Sequence, residues 1–105
     1  MKHIYVGETK DIKPGSMKKV DVADRVPLCI INCEGRYYAI SGVCAHKGGP
    51  LWEGELIDGG KYIKCPYHDA IFRTSDGRNG WPAPRPLRTF PLEVEGAAIY
   101  MVVPD

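Results

Sequence analysis

Two short cysteine–histidine pairs constrain this chain more than any other feature of its sequence. One residue separates Cys44 from His46, two residues separate Cys65 from His68, and 18 residues lie between the pairs. Thiolate and imidazole are ligands with which proteins hold transition metals. Because each pair lies in a segment rich in turn-forming residues, a hairpin between the pairs can bring both to one point. The sequence therefore predicts a metal site built from two loops.

Three interpretations of the two pairs differ in the chemistry they imply. The four residues could be unrelated, although the chain has only four cysteines and three histidines to place at such spacings. They could hold a structural zinc ion, but zinc sites usually pair cysteine with cysteine and histidine with histidine, at wider spacings. They could hold a [2Fe–2S] cluster in which each loop gives its cysteine to one iron and its histidine to the other. The last interpretation explains the interleaved order.

The rest of the sequence predicts an all-β fold. The chain contains 12 glycines and 9 prolines in 105 residues, which suits short strands and tight turns. Pairs such as Glu34–Gly35 and Glu95–Gly96 mark hairpins. We expect a sandwich or small barrel of antiparallel sheets. Strands are predicted at Met1–Gly7, Met17–Val22, Val26–Cys33, Arg36–Ile40, Glu55–Ile57, Lys61–Cys65, Ala70–Arg73, Leu87–Val94 and Ala97–Val102.

The two remaining cysteines, Cys29 and Cys33, are predicted to be core thiols. They lie four residues apart in an apolar segment that reads as a buried strand. Four extended residues span roughly 13 Å, whereas the Cα atoms of a disulfide lie within about 7 Å. A disulfide between Cys29 and Cys33 is therefore not expected.

Charge and hydropathy exclude several classes of function. The formal net charge is +1 and no long block of like charge occurs, so no nucleic-acid surface is expected. No apolar segment is long enough to span a bilayer, and the N-terminus lacks the apolar stretch of a signal peptide. We expect a soluble, cytoplasmic and monomeric protein with a single domain over residues 1–105.

The order Cys-x-His, spacer, Cys-x-x-His resembles the Rieske proteins, and the resemblance covers the whole chain. It implies a Rieske-type fold of antiparallel sheets with a small cluster-binding subdomain made of two loops, within about residues 41–86. It also implies that a [2Fe–2S] cluster is the cofactor. The ligands implied are Cys44, His46, Cys65 and His68.

Four further positions indicate which Rieske proteins the chain resembles. Respiratory Rieske proteins carry a loop-bracing disulfide where this chain has Gly49 and Tyr67, and hydroxyl groups where it has Ala70 and Phe72. The chain instead resembles the free ferredoxins of ring-hydroxylating oxygenase systems. That resemblance implies an electron carrier, not an enzyme, that accepts electrons from a flavin-dependent reductase and passes them to a terminal oxygenase. The alternative is a small Rieske subunit of a larger reductase such as assimilatory nitrite reductase.

The same resemblance predicts a docking surface near the tips of the two loops, where the histidine ligands face solvent. Apolar side chains around the tips would contact the redox partner. We expect this surface to contain Pro50, Leu51, Pro66, Tyr67, Trp81 and Pro82.

Overall fold

Ten short strands form the framework of the computed structural model, which describes residues 1–22, 27–44, 49–67, 70–79 and 86–104. Single turns of 3₁₀-helix connect some of the strands and no α-helix occurs among these residues. The strands are β1 (Lys2–Glu8), β2 (Met17–Val20), β3 (Leu28–Cys33), β4 (Arg36–Ser41), β5 (Glu55–Ile57), β6 (Tyr62–Lys64), β7 (Ile71–Arg73), β8 (Thr89–Phe90), β9 (Leu92–Glu95) and β10 (Ala98–Val103).

The strands form three sheets, in which all pairings are antiparallel. Their orders are β1-β10-β9, β2-β3-β4-β8 and β5-β6-β7. The prediction of an all-β fold of antiparallel sheets is confirmed. In the part of the chain that the structure describes, no helix is long and apolar enough to cross a membrane.

Strand β3 is buried on both faces and divides two apolar cores. Leu28 and Ile30 point into a core shared with the β1-β10-β9 sheet. Cys29 and Ile31 point to the opposite side, into a core shared with the β5-β6-β7 sheet. Because successive side chains of a strand point to opposite faces, a strand between two cores must be apolar at every position or satisfy its polar groups. This explains the nearly continuous apolar run of β3.

The one polar residue of β3 closes the hairpin that follows it. Asn32 is buried, and its side chain donates to the carbonyl of Ile12 at 2.8 Å and accepts from the amide of Gly35 at 2.8 Å. Glu34 and Gly35 have φ values of 53° and 91°, the left-handed pair that a tight two-residue hairpin requires. The predicted turn at Glu34–Gly35 is confirmed.

The prediction of one continuous strand over Leu87–Val94 is wrong. The chain pairs with β4 through β8, then pairs with β10 through β9, so it leaves one sheet and joins another. The change occurs at Pro91, which has no N–H to continue a ladder, while its carbonyl accepts from the amide of Val102 at 2.9 Å. A proline between two short strands therefore marks the transfer between sheets.

A charged turn follows β7. Arg73 and the backbone N–H of Arg78 both donate to the carboxylate of Asp76, the latter at 3.0 Å. The hydrogen bonds from Arg73, followed by that from Arg78, hold the pKa of Asp76 well below its usual range. Next to this turn, Gly77 accepts a hydrogen bond from the amide of Leu87 at 2.8 Å. This bond joins the charged turn to the segment that precedes β8.

Candidate metal centre

The first cysteine lies at the end of a short two-stranded stem. The amide of Leu51 donates to the carbonyl of Gly42 at 2.8 Å, and the amide of Cys44 donates to the carbonyl of Gly49 at 2.8 Å. Val43 and Pro50 face each other between these two bonds. Cys44 is therefore the last hydrogen-bonded residue before residues 45–48, which fixes its backbone where the loop begins.

The second cysteine occupies the equivalent position on the hairpin of β6 and β7. Within that ladder Ile63 lies opposite Phe72 and Lys64 opposite Ile71. The amide of Cys65 continues the ladder by donating to the carbonyl of Ala70 at 2.8 Å. Both candidate cysteines thus end a hydrogen-bonded stem, and four residues separate each cysteine in sequence from the residue that accepts its amide.

The two stems touch at Gly49. A Cβ atom placed on Gly49 would lie only 2.9 Å from Sγ of Cys65, closer than real Cβ contacts come. The space at this position therefore requires glycine.

Both cysteines are buried in the same apolar core. Cys44 is 2% exposed and Cys65 is 0% exposed. Ala70 and Phe72 are fully buried in this core as well, and neither side chain carries a hydroxyl group. The surroundings of the two thiols combine a low-polarity interior with backbone amides at the loop entrances.

Only part of the predicted docking surface is exposed. Pro66 and Tyr67 are exposed, with Tyr67 at 68%, and Pro50 is half-buried. Leu51 is 0% exposed and packs in the core with the two cysteines, so its assignment to the surface was wrong. Its side chain continues the apolar packing of the stem instead of facing solvent. Trp81 and Pro82 lie outside the described residues.

Of the four predicted ligands, the structure places two. Cys44 and Cys65 end neighbouring stems, whereas His46 and His68 lie outside the described residues. The two described members fit a [2Fe–2S] cluster. Their thiols belong to one core and lie on two loops that meet at Gly49, where a side chain would collide with a sulfur atom. Thiolates brought together in this way can hold iron.

The other two cysteines have a different environment. None of the four cysteines, all of them described, is in a disulfide, as expected for Cys29 and Cys33. Burial raises the pKa of the Cys29 thiol to about 12, which keeps it protonated and unreactive at neutral pH. Cys29 and Cys33 are core thiols on β3.

One contact escaped the sequence analysis. The ring of Tyr67 lies over Gly49, such that a Cβ on Gly49 would be 3.1 Å from Cδ2 and 3.2 Å from Cγ of that ring. Tyrosine beside a metal-ligand motif carries no sequence signal for such packing. The available hint was that respiratory Rieske proteins carry their loop-bracing disulfide at these two positions.

Comparison with known proteins gives a consistent identification. A family model described as the Rieske [2Fe–2S] domain matches residues 2–91. The ferredoxin subunit of a 3-phenylpropionate/cinnamic acid dioxygenase from Shigella boydii is 33% identical over 106 residues, covering 100% of this chain and 97% of the relative. Nearly the whole of both chains is therefore related.

Solved structures extend the comparison to the fold. The ferredoxin-like match in a complex of reduced oxygenase and oxidised ferredoxin of carbazole 1,9a-dioxygenase has a TM-score of 0.87 and 29% identity, covering 94% of this chain and 91% of that one. A nitrite reductase small subunit from Mycobacterium tuberculosis has a TM-score of 0.82 over 95% of this chain and 93% of its own, but at 18% identity it shares the fold alone.

The stems that end in Cys44 and Cys65, the family match and the near full-length relative agree with one another. This chain belongs to the Rieske [2Fe–2S] family and is a ferredoxin, an electron carrier with a [2Fe–2S] cluster as its cofactor.

Proposed function

We propose that this ferredoxin accepts single electrons from a flavin-dependent reductase and delivers them to the terminal oxygenase of a ring-hydroxylating dioxygenase system. The relative at 33% identity is named as the ferredoxin subunit of a dioxygenase, and a similar ferredoxin has been solved with its oxygenase. When bound, the cluster supplies reversible uptake of one electron. The chain's own residues hold the cluster, exclude water from it and present a contact surface.

The proposed ligands are the thiolates of Cys44 and Cys65 on one iron and the imidazoles of His46 and His68 on the other. The observation that supports them best is the equivalent position of the two cysteines, each the last hydrogen-bonded residue of a stem. The hydrogen bonds of these two amides fix the backbone of each cysteine, so less conformational freedom is lost when metal binds.

The surroundings of the site divide into an insulating side and a contact side. Leu51, Ala70 and Phe72 are fully buried with the cysteines and keep water away from them. Pro66 and Tyr67, next to Cys65 in sequence, are exposed. The proposed contact surface therefore consists of Pro50, Pro66 and Tyr67 among the described residues. Electron-transfer contacts are small and transient, so an exposed patch of this kind can form part of one.

The ligand set is tested by metal and sulfide analysis of matched cysteine variants. Cys44→Ser and Cys65→Ser should purify without iron or acid-labile sulfide. Cys29→Ser, which changes a buried thiol of the same core, should retain both. His46→Ala and His68→Ala should lose nearly all of the cluster. A Cys65→Ser variant with a full complement of iron and sulfide would refute the ligand assignment.

The partner assignment is tested with purified acceptors from the source organism. Photoreduced ferredoxin is mixed in a stopped-flow instrument with an oxidised terminal Rieske oxygenase or with a siroheme nitrite reductase. We expect rapid, concentration-dependent reoxidation by the oxygenase only. Reoxidation by the nitrite reductase alone, with tight association in gel filtration, would favour the alternative of a reductase small subunit.

Three further assignments belong to the same proposal. We infer one domain over residues 1–105 with a cluster-binding region of about 41–86, a monomeric state and a cytoplasmic location. The absence of disulfides among the four cysteines fits a reducing compartment. Limited proteolysis, analytical ultracentrifugation and cell fractionation measure these three properties separately.

A further inference from the structure

The contact between Gly49 and Tyr67 joins the two loops that carry the candidate ligands. Gly49 belongs to the first stem, because its carbonyl accepts the amide of Cys44 at 2.8 Å. Tyr67 belongs to the second loop, two residues after Cys65. The ring of Tyr67 lies so close to Gly49 that a Cβ there would be 3.1 Å from Cδ2. The ring therefore packs on the bare backbone of the opposite loop.

Gly49 contacts the sulfur of Cys65 from the same position. A Cβ on Gly49 would lie 2.9 Å from Sγ of Cys65 and 3.2 Å from Cγ of Tyr67. One missing side chain thus provides the space for both groups. Any displacement of Gly49 by the ring changes its distance to the sulfur as well, because close-packed groups transmit small shifts.

The exposure of Tyr67 argues against a purely structural role in the core. The residue is 68% exposed, far more than a side chain that stabilises the fold by burial. Its ring nevertheless keeps a defined contact with the opposite loop, and no disulfide joins the described cysteines there. The contact is local to the two loops.

We propose that Tyr67 is a positioning residue whose ring, packed on Gly49, sets the separation of the two loops and with it the position of the Cys65 sulfur. This inference rests on the proposed role of Cys65 as a ligand. Gly49 provides the surface against which the ring packs, and its missing Cβ defines how closely the loops approach.

The experiment compares Tyr67→Ala, Tyr67→Phe, Gly49→Ala and the Gly49→Ala/Tyr67→Ala double variant as purified holoproteins. The readouts are the rate of iron loss to a chelator, the EPR spectrum and the midpoint potential. Tyr67→Ala should lose iron about tenfold faster, because the loops separate more easily. Tyr67→Phe keeps the ring and should behave like the wild type in all three measurements.

The double variant tests the contact itself. Gly49→Ala should accelerate iron loss about tenfold and change the EPR spectrum, because the added methyl displaces the sulfur or the ring. In the double variant the methyl group takes space left by the ring. The increase in the rate of iron loss should therefore be smaller than the product of the increases in the two single variants. Gly96→Ala, in a turn with nothing within 4 Å, should reduce thermal stability and leave the EPR spectrum and potential unchanged.

A disulfide between positions 49 and 67 tests the role of this contact independently of side-chain packing. The Cβ of residue 49 would lie 3.2 Å from Cγ of Tyr67, and one carbon–carbon bond of about 1.5 Å separates that atom from the Cβ of Tyr67. The two Cβ atoms are therefore no more than about 4.7 Å apart, which permits the roughly 3.5–4.5 Å of a disulfide. The Gly49→Cys/Tyr67→Cys variant should lose iron slowly when the new disulfide is formed and faster after the disulfide has been reduced to two thiols.

The outcomes separate this proposal from the ligand assignment. Equal iron-loss rates and spectra for Tyr67→Ala and Tyr67→Phe would overturn the positioning role, even if Gly49→Ala fails to assemble a cluster. Independent, multiplying effects in the double variant would overturn it too. Retention of the cluster by Cys65→Ser would instead refute the ligand set.

Discussion

Introducing hydroxyl groups at Ala70 and Phe72 is expected to raise the reduction potential of the ferredoxin. Both side chains are 0% exposed and share an apolar core with Cys44 and Cys65. With the proposed two thiolate and two imidazole ligands, the oxidised centre would be formally neutral and the reduced centre would carry one negative charge. Ala70 and Phe72 offer no hydroxyl group that could stabilise the charged state by donating a hydrogen bond. We therefore expect a wild-type potential near the low end of the roughly −150 to +300 mV range of Rieske centres.

The size of the effect follows from the hydrogen bond that each hydroxyl could donate. A hydrogen bond to a charged group contributes about 1.5–3 kcal/mol, but only the difference between the two redox states changes the potential. For one electron, a difference of about 1.4 kcal/mol corresponds to about 59 mV. Ala70→Ser with Phe72→Tyr should therefore raise the potential by tens of millivolts, measured by protein-film voltammetry.

A matched control separates this effect from the cost of burying a hydroxyl group. Ala39 is 2% exposed but lies in the other core, on the far side of β3 from the cysteines. Ala39→Ser should destabilise the protein by about 1–3 kcal/mol if the hydroxyl finds no partner. Its potential should equal that of the wild type.

Two results would refute this reasoning. The first is a wild-type potential well above zero, because the surroundings of the site would then stabilise the reduced state without hydroxyl donors. The second is a double variant whose potential is lower than that of the wild type, although its crystal structure places the new hydroxyls within hydrogen-bonding distance of sulfur.

Three other predictions concern the loops, the surface and the core. Removal of the cluster should lower hydrogen-exchange protection within residues 42–52 and 65–72, least at the anchored Cys44 and Cys65 amides, while β3 stays protected, since metal orders the loops. Unchanged protection of these two segments would contradict this. Pro66→Glu should slow reduction by the proposed flavin-dependent reductase, whereas Val94→Glu, at another exposed position on β9, should not. Equal rates for the two variants in stopped-flow assays would exclude Pro66 from the contact. The pKa of Cys29 is raised to about 12, so the cluster-free protein should lose stability as pH rises above about 9, where the thiol ionises only in the unfolded state. Urea titrations should show that the free energy of unfolding depends less on pH in Cys29→Ala. The same pH dependence in both proteins would contradict the raised pKa.

Sequence reasoning succeeded where local chemistry determines the outcome. The turn at Glu34–Gly35 requires left-handed backbone at both positions, and the sequence places glycine at one of them. The all-β class follows from many short apolar segments between turns. Cys44 and Cys65, predicted as ligands from their spacing to histidines, lie in one core at the ends of two stems, and their role as ligands stays a prediction.

It failed where tertiary packing decides. Leu51 follows a proline in an exposed-looking loop, yet its side chain is part of the core because the stem folds back on β4. The transfer between sheets at Pro91 depends on which strands have free edges, which a single sequence does not reveal. The contact of Tyr67 with Gly49 joins residues on different loops, and no local pattern encodes it.

The position of the two cysteines at the ends of their stems also bears on how fast a carrier can work. Cys44 and Cys65 are each anchored by a backbone hydrogen bond of 2.8 Å to the residue that closes the loop. Groups that are already fixed in place need little rearrangement when the charge beside them changes. As the proposed ligands, Cys44 and Cys65 would keep nearly the same geometry before and after an electron arrives. The stems thereby lower the reorganisation energy of each transfer, and a carrier that must accept and release an electron in every cycle benefits in both directions.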